Sequence, residues 1–428
     1  MLTNRPRGTR DFLPEELVRW QYVEEVARRV CRRYSYGEIR TPLFEHTELF
    51  ERGVGEGTDI VEKEMYTFSD RGGRSLTLRP EGTAPVMRAF LEEGLRNQAL
   101  PKKFFYIPYQ CFRYERPQAG RYRQHHQFGV EVIGSSDPLI DVEVIALAGE
   151  FLAQLGLENF GIRLNSIGCP ECRVEYRESL RQYMSDQADL CQICRGRLET
   201  NPLRILDCKN PRCRELAGSA PAVLDYLCAG CREHFSGVRA GLSSLGLEYQ
   251  LDSSLVRGLD YYTHTVFEIF YRGLGAQDAL LGGGRYDGLA ESLGGEPCPG
   301  MGFAMGLERI LLAMEEEGCY LPGPEAPEVF LVAMGDEPRA SRMALLARLR
   351  RAGLNADTDF MDRSMRAQMR LAARAGSRAA LIVGEDELEK GQAALRLLDQ
   401  GSQMQVSLED LGQEVRTALD QAIGEGDS

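Results

Sequence analysis

The chain has 428 residues, 43% of them hydrophobic and 27% charged, and a formal net charge of −13. That length and mixture suit two or three domains with proper cores and exclude a disordered or fibrous chain. The acidic balance excludes wholesale coating of nucleic acid and leaves local basic patches as the route to phosphate.

The N-terminus, MLTNRPRGTRDFLPEEL, has no apolar core behind its basic residues. No later stretch approaches the ~18 apolar residues of a membrane helix, so a cytoplasmic address without a membrane partner is expected. Up to about residue 168, segments such as FFYIPYQCFRYE and QFGVEVIG alternate with the period of strands, and helical patterns over 15–33 and 141–155 flank them. This predicts an α+β domain on a largely antiparallel sheet.

From 169 to about 235 the composition changes to cysteine pairs and charged helical runs, after which 255–269 and 276–314 return to the earlier style. That is the pattern of an insertion into one domain. LPGPEAP, at 321–327, carries three prolines and reads as a linker. Beyond it, EVFLVAMG, a helical run over 339–353, a strand over 355–360, another helix and AALIVGEDEL alternate as strand and helix. The expected domains are therefore 1–325, with its insertion, and an α/β domain over 327–428.

The run CFRYERPQAGRYRQ places Arg113, Glu115, Arg116, Arg121 and Arg123 around a Pro/Gly turn between two strand-like segments. On a hairpin, residues of one parity share a face, so Arg113 and Glu115 would project together on one strand, and Gln127, Gly129 and Glu131 on the other. Such a surface can hold a triphosphate, because a guanidinium donates bidentately and keeps its charge near neutral pH.

Other segments taken singly read as structure. Gly302 to Met314, with Arg309, reads as a core helix, Thr83 as a helix cap, Tyr261 and Tyr262 as strand aromatics, and glycines 282–284 as a hairpin turn. GGGRYDG lacks the Lys-Ser/Thr ending of a P-loop.

Eight of the twelve cysteines form four close pairs: Cys169 and Cys172, Cys191 and Cys194, Cys208 and Cys213, Cys228 and Cys231. Without a secretion signal these read as reduced thiols or as two tetrahedral four-cysteine zinc sites. Grouping in sequence order joins the first two pairs and the last two; the spacing leaves crossed pairing open. His234 would be a surplus ligand. Between 338 and 378, ten arginines stand against three aspartates, a local bias that points to a phosphate-facing surface.

YGEIRTPLFEHTELFERG with Pro42, the FRYE hairpin and GLERILLAM resemble the three ordered motifs of class II aminoacyl-tRNA synthetases, the first of which forms a dimer interface in that class. LVRGLDYYTHTVFEI and LLGGGRYDGLAESLGG, with PRGTRDFLP and RYRQHHQFGVEV, resemble segments peculiar to the histidyl-tRNA synthetase family. The resemblance covers nearly the whole chain, and DRSMRAQMRLAARAGSRAALIVGEDEL is similar to the anticodon-binding domain of that class.

The resemblance implies an enzyme that activates L-histidine with ATP and Mg²⁺ and transfers it to tRNA, as a homodimer. It gives Arg113 the α-phosphate, stands Arg257, as a second catalytic residue, where related enzymes hold a metal ion, and gives Glu115, Arg121, Arg123, His125 and Arg309 the rest of ATP, with His125 standing where the family pattern has an adenine-stacking aromatic. It gives Glu81, Gly82, Thr83 and Gln127 the ammonium and carboxylate of histidine. Glu131, Tyr261 and Tyr262 fall around the imidazole, Tyr286 closes the pocket and Arg116 faces tRNA. Two rivals remain: the non-catalytic regulatory subunit of ATP phosphoribosyltransferase, which typically lacks the anticodon domain, and a zinc-dependent nucleic-acid binder.

Overall fold

In the computed structural model, which describes residues 3–55, 57–118, 120–275 and 278–424, the chain divides into two compact units, Met1–Gly323 and Pro324–Ser428. The break falls within LPGPEAP, where proline cannot continue a helix or donate to a sheet. Residues 276 and 277, the start of one expected segment, lie outside the described residues.

The first unit is built on an eight-stranded sheet. Its strands lie in the order Gly37–Glu38, Lys102–Phe112, Gln124–Ile133, Gly300–Gly306, Ala279–Arg285, Thr263–Tyr271, Phe160–Ser166 and Gln250–Leu251. The two short edge strands pair parallel with their neighbours, and the six between them are antiparallel, as the alternating pattern predicts. A three-stranded sheet, Phe44–His46, Ser75–Leu78 and Tyr66–Ser69, stands beside it.

One irregularity sets up the site. The pairing of Lys102–Phe112 with Gln124–Ile133 slips between Tyr106 and Tyr109, across Ile107 and Pro108. Proline has no N–H for the ladder, and the extra residue of a bulge re-aims the side chains beyond it. Tyr106, Tyr109 and Cys111 consequently share one core cluster despite their mixed parity, while Phe105, Ile107, Phe128, Val130 and Val132 pack in another.

That larger cluster lies against the helices Pro14–Arg33, Pro138–Gln154 and Leu307–Glu317. Pro14–Arg33 follows its sequence closely. Proline opens it, Glu15 and Glu16 occupy its first turn and Arg32 and Arg33 its last, which suits the helix dipole. Trp20, Val23, Ala27 and Val30 recur at helical spacing and are buried. Each valine among them contributes about 1.5–3 kcal/mol by leaving water, and Ala27 less.

The insertion ends earlier than its composition implies. The helices Pro170–Ser185, Gln192–Thr200 and Pro211–Gly218 share a small core of their own with Tyr176, Leu180, Met184 and Leu216. The next helix, Ala229–Ser244, instead buries Phe235, Val238 and Leu242 in the main core. Those three apolar positions, spaced for one helix face, sit in an otherwise polar run, which hid the return to the domain.

In the second unit, Ala356–Thr358, Val329–Ala333 and Ala379–Val383 are parallel, and Gln392–Leu397 and Gln403–Ser407 extend the sheet antiparallel. Its helices include Asp336–Arg351, Met365–Arg374 and Leu411–Gly424. Among the described residues, no helix is long and apolar enough to cross a membrane.

Candidate active site

Glu131 is buried, 1% exposed, on the same strand face as His125, Gln127 and Gly129. Its Oε1 accepts hydrogen bonds from Thr83 Oγ1 at 2.8 Å and Tyr106 Oη at 3.1 Å, and its Oε2 from Tyr286 Oη at 2.5 Å. Burial pushes its carboxyl up to about 8; the Glu81 carboxylate adds to the rise while the three hydroxyls oppose it.

Tyr106 completes this ring, and its ring occupies the space where Gly82 and Gly129 lack side chains: a Cβ at either would lie 2.6 or 2.3 Å from it. It carries no motif of its own. The two glycines facing a strand aromatic are the signal that could have found it.

Thr83 is not the cap expected of it. It is the first residue of the helix Thr83–Glu92, and the buried Glu81 caps that helix, accepting from Thr83 N at 2.7 Å and Ala84 N at 2.8 Å. This frees the threonine hydroxyl for Glu131. Burial raises the Glu81 carboxyl above its ordinary range, opposed by those two N–H bonds and by Arg113.

Tyr261 and Tyr262 are buried just before the strand Thr263–Tyr271, with ring centroids 4.7 Å apart, and Tyr261 meets Tyr286 edge-on at 5.8 Å. Burial holds both phenols above their ordinary range, while Arg257 pulls Tyr262 back. Gln127 accepts a bond from Cys111 Sγ at 3.3 Å.

Glycines 282–284 are not a turn. They lie in the strand Ala279–Arg285, and Gly282 makes room for Arg257, whose Nη2 would be 1.6 Å from a Cβ there. Arg257 Nη1 pairs with Glu268 at 3.2 Å, and its buried Nε has no partner among the described residues. Arg285, from the same segment, points elsewhere and pairs with the buried Asp141 at 2.7 Å. His234, the surplus ligand, bonds the other oxygen of Asp141 at 2.9 Å.

A cavity of about 720 Å³ joins Arg113, Arg121, Arg257 and Arg163. Arg113 and Glu115 lie beyond the strand end at Phe112, in the hairpin loop, so loop geometry rather than strand parity aims them. Arg113 Nε is held by Pro80 O at 2.8 Å, and Arg121 stands 3.6 Å from Glu115. The remaining hairpin cations do not line this cavity: Arg123 lies over the Tyr114 ring at 3.9 Å and donates to Glu115 O, and Arg116 is exposed. Arg309 donates from Nε to the backbone O of Ala279, a residue of the cavity wall, at 2.7 Å. Burial, with Arg113 next, pushes His125 down to about 3, so its ring is neutral. Sequence reasoning missed Arg163, which pairs with Glu268 on the neighbouring strand and with Asp278 just before Ala279–Arg285, and Lys209 and Arg214, which reach the cavity from the insertion.

The cysteines form two groups, paired otherwise than in sequence order: Cys169, Cys172, Cys228 and Cys231, and Cys191, Cys194, Cys208 and Cys213. The insertion doubles back, so the inner pairs meet each other and the outer pairs meet at its base. Within each group the ligand atoms all lie within 4.8 Å. The gaps of 3.5, 3.6 and 3.9 Å for Cys169–Cys172, Cys172–Cys231 and Cys191–Cys208 far exceed a disulfide bond. They suit the edge of a tetrahedron around zinc, roughly 3.8 Å for Zn–S bonds of ~2.3 Å. Backbone N–H groups also point at sulfur, Cys228 N to Cys172 and Cys191 N to Cys213, as outer-shell donors do around bound metal.

In the second unit the arginine-rich surface is narrower than its count. Arg342 pairs with Asp362, Arg363 with Asp359, and Arg350 and Arg378 donate to backbone carbonyls. Arg339 also pairs with Asp362 and Arg348 donates to Glu409 O. Arg351 remains, and so do Arg366, Arg370 and Arg374, exposed at four-residue spacing along the helix Met365–Arg374.

Comparison with known proteins places these features. A family model described as histidyl-tRNA synthetase matches residues 8–172 and 215–310, and one described as an anticodon binding domain matches 328–418. The histidine–tRNA ligase of Pelotomaculum thermopropionicum is 54% identical over 98% of this chain and 99% of its own length. The crystal structure of apo histidyl-tRNA synthetase from S. aureus matches with a TM-score of 0.82 and 38% identity, covering 97% of this chain and 100% of that one. A Bacillus halodurans structure named as an ATP phosphoribosyltransferase regulatory subunit/histidyl-tRNA synthetase shares the fold, at 22% identity and a TM-score of 0.65, covering 90% of this chain and 99% of its own.

Proposed function

The chain belongs to the histidyl-tRNA synthetase family, and from that premise we propose how its residues divide the work of joining histidine to tRNA. It is a class II aminoacyl-tRNA synthetase, a histidine–tRNA ligase; relatives matched end to end disfavour the regulatory-subunit reading.

In the first reaction a carboxylate oxygen of histidine attacks the α-phosphorus of ATP, the bond to the β-phosphate breaks and pyrophosphate leaves. Arg113 and Arg257 stabilise the charge that grows on the α-phosphoryl oxygens, because both are already fixed, by Pro80 O and Glu268, and need not reorganise. Arg121 takes the outer phosphates; Glu115, Arg123, His125 and Arg309 build the surrounding wall and the adenine contact. ATP enters as its magnesium complex, whose cation neutralises further phosphate charge. In the second reaction the terminal ribose hydroxyl of tRNA attacks the activated carbonyl and AMP leaves.

One observation carries the histidine assignment: Glu131, ringed by Thr83, Tyr106 and Tyr286 hydroxyls beside an arginine-lined cavity. A ring nitrogen of histidine can replace one of those donors, with Tyr261 and Tyr262 packing the imidazole. A substrate without that nitrogen leaves buried polar atoms unpaired, a penalty that gives discrimination of ~10⁴ or more without editing. Glu81, Gly82, Thr83 and Gln127 hold the ammonium and carboxylate. Pyrophosphate exchange into ATP, run with each of the twenty amino acids, tests this; exchange with an amino acid other than histidine, or none from folded protein, sinks it.

The two thiolate groups hold structural zinc, which would cross-link the insertion. Four thiolates leave no open coordination position, so the metal takes no part in the chemistry. The partner is the tRNA for histidine, with its 3′ end at the cavity, Arg116 facing it, and its anticodon at the Arg366, Arg370 and Arg374 face. Exposed Leu43, Phe44 and Phe68 around the three-stranded sheet support a homodimer joined there. A cytoplasmic location follows from the role in translation.

A further inference from the structure

The strand Phe160–Ser166 leaves the sheet and enters the first cysteine group within three residues. On the way it is stitched to the segment just after the two tyrosines: Ile167 N donates to His264 O at 2.7 Å, and His264 N donates to Gly168 O at 2.9 Å. His264 takes a left-handed backbone, φ +48°, which side chains other than glycine adopt at a cost and only when their surroundings hold them there. Its surroundings include the cluster itself, with Cys231 Sγ 3.6 Å from His264 Nδ1.

A second strap runs from the same cluster. One turn into the helix Pro170–Ser185, whose N-cap is Cys169, Arg173 Nη1 donates to the backbone O of Tyr262 at 3.1 Å. The guanidinium thus holds the residue whose ring packs beside Gly284. A four-thiolate metal site requires neither bond. Both bear on the two peptides that aim Tyr262.

We propose that the Cys169–Cys172–Cys228–Cys231 centre is a positioning device for histidine recognition, acting through Arg173 and His264 on Tyr262. The proposal rests on the zinc reading and on the assignment of the tyrosines to the imidazole. The second cluster has a different reach, since Cys208 and Lys209 line the arginine cavity. The two centres therefore serve different substrates: the first steadies the amino acid pocket, the second the wall facing ATP.

The test uses full-length enzyme purified under reducing conditions, with zinc measured by atomic emission and pyrophosphate exchange followed as histidine and ATP are varied separately. Arg173→Ala should keep its zinc and raise KM for histidine about tenfold, with KM for ATP within about twofold, and Arg173→Lys should recover part of the loss. Cys228→Ser should lose one zinc and show the same histidine effect, whereas Cys213→Ser should lose one zinc and shift ATP instead. An unchanged histidine KM in Arg173→Ala, or an ATP KM that rises in step, overturns the positioning role. Native protein without zinc overturns the metal reading and with it the part given to the centre, whereas an unchanged histidine KM in zinc-loaded Arg173→Ala overturns the positioning role and leaves the metal reading standing.

Discussion

Tyr286 Oη donates to Glu131 Oε2 across 2.5 Å, and this bond joins the glycine-rich strand end to the hairpin at the bottom of the pocket. Glu131 and Tyr286 stand 155 residues apart in sequence. The bond sets both the orientation of the carboxylate and the room left for an imidazole. Tyr286→Phe is therefore expected to raise KM for histidine about tenfold, the loss of one good buried hydrogen bond, while KM for ATP stays put. Initial rates of pyrophosphate exchange measure both.

The same carboxyl makes stability depend on pH. Glu131 is pushed up to about 8 by burial, from an ordinary value of 4.5. Folded chain thus holds the proton more tightly than unfolded chain. The stabilisation is fully present below 4.5 and drains away as pH rises through about 8. Glu131→Gln cannot lose that proton. The difference in melting temperature, variant minus native, should grow in the variant's favour between pH 5 and pH 9; parallel melting curves would remove the argument.

Much of this was legible in the sequence, for physical reasons. Strand alternation, Arg-rich turns and a proline-rich linker are local signals, and the sheet and the break near Gly323 obey them. What the residues alone hid was set by distance or by exception. Pro108 sits in a bulge that overturns strand parity, so Tyr106 joined the site unannounced. Gly282 reads as a turn because a glycine gives no sign that its missing side chain is filled by Arg257. The cysteine pairing depends on how the insertion doubles back, and spacing along a chain does not encode that.

Asp141 offers a stability test away from the chemistry. It is fully buried, pairs with the equally buried Arg285 at 2.7 Å, and accepts from His234, thereby fastening the helix Ala229–Ser244 to the sheet. Removing one partner of a buried pair costs about 3–5 kcal/mol when the other charge is stranded. Arg285 keeps Asp287 Oδ1 at 3.4 Å and the carbonyls of Ser135 and Asp137, which puts the loss at the lower end of that range. Asp141→Ala should lose that much in urea denaturation. Replacing Arg285 by Met as well should recover part of it, because two apolar side chains strand no charge.

Arg257 and Gly282 allow the phosphate assignment to be tested twice, from opposite sides. Arg257→Ala removes a fixed donor from the charge that develops on the α-phosphoryl group, and should lower kcat for exchange by ~10² to 10³. Arg257→Lys should recover little, since a point charge cannot reproduce a planar fork already engaged by Glu268. Gly282→Ala leaves the arginine in place but puts a methyl group where its guanidinium lies, 1.6 Å from Nη2 and 2.0 Å from Cζ. The arginine has to swing away, because the strand carrying Gly282 is paired on both sides and cannot move as freely as a side chain. Gly282→Ala should therefore reproduce most of the kcat loss of Arg257→Ala, and the double variant should be no worse than either one. Additive losses in that cycle would show that the two residues act separately, and that Arg257 is not the group the glycine protects.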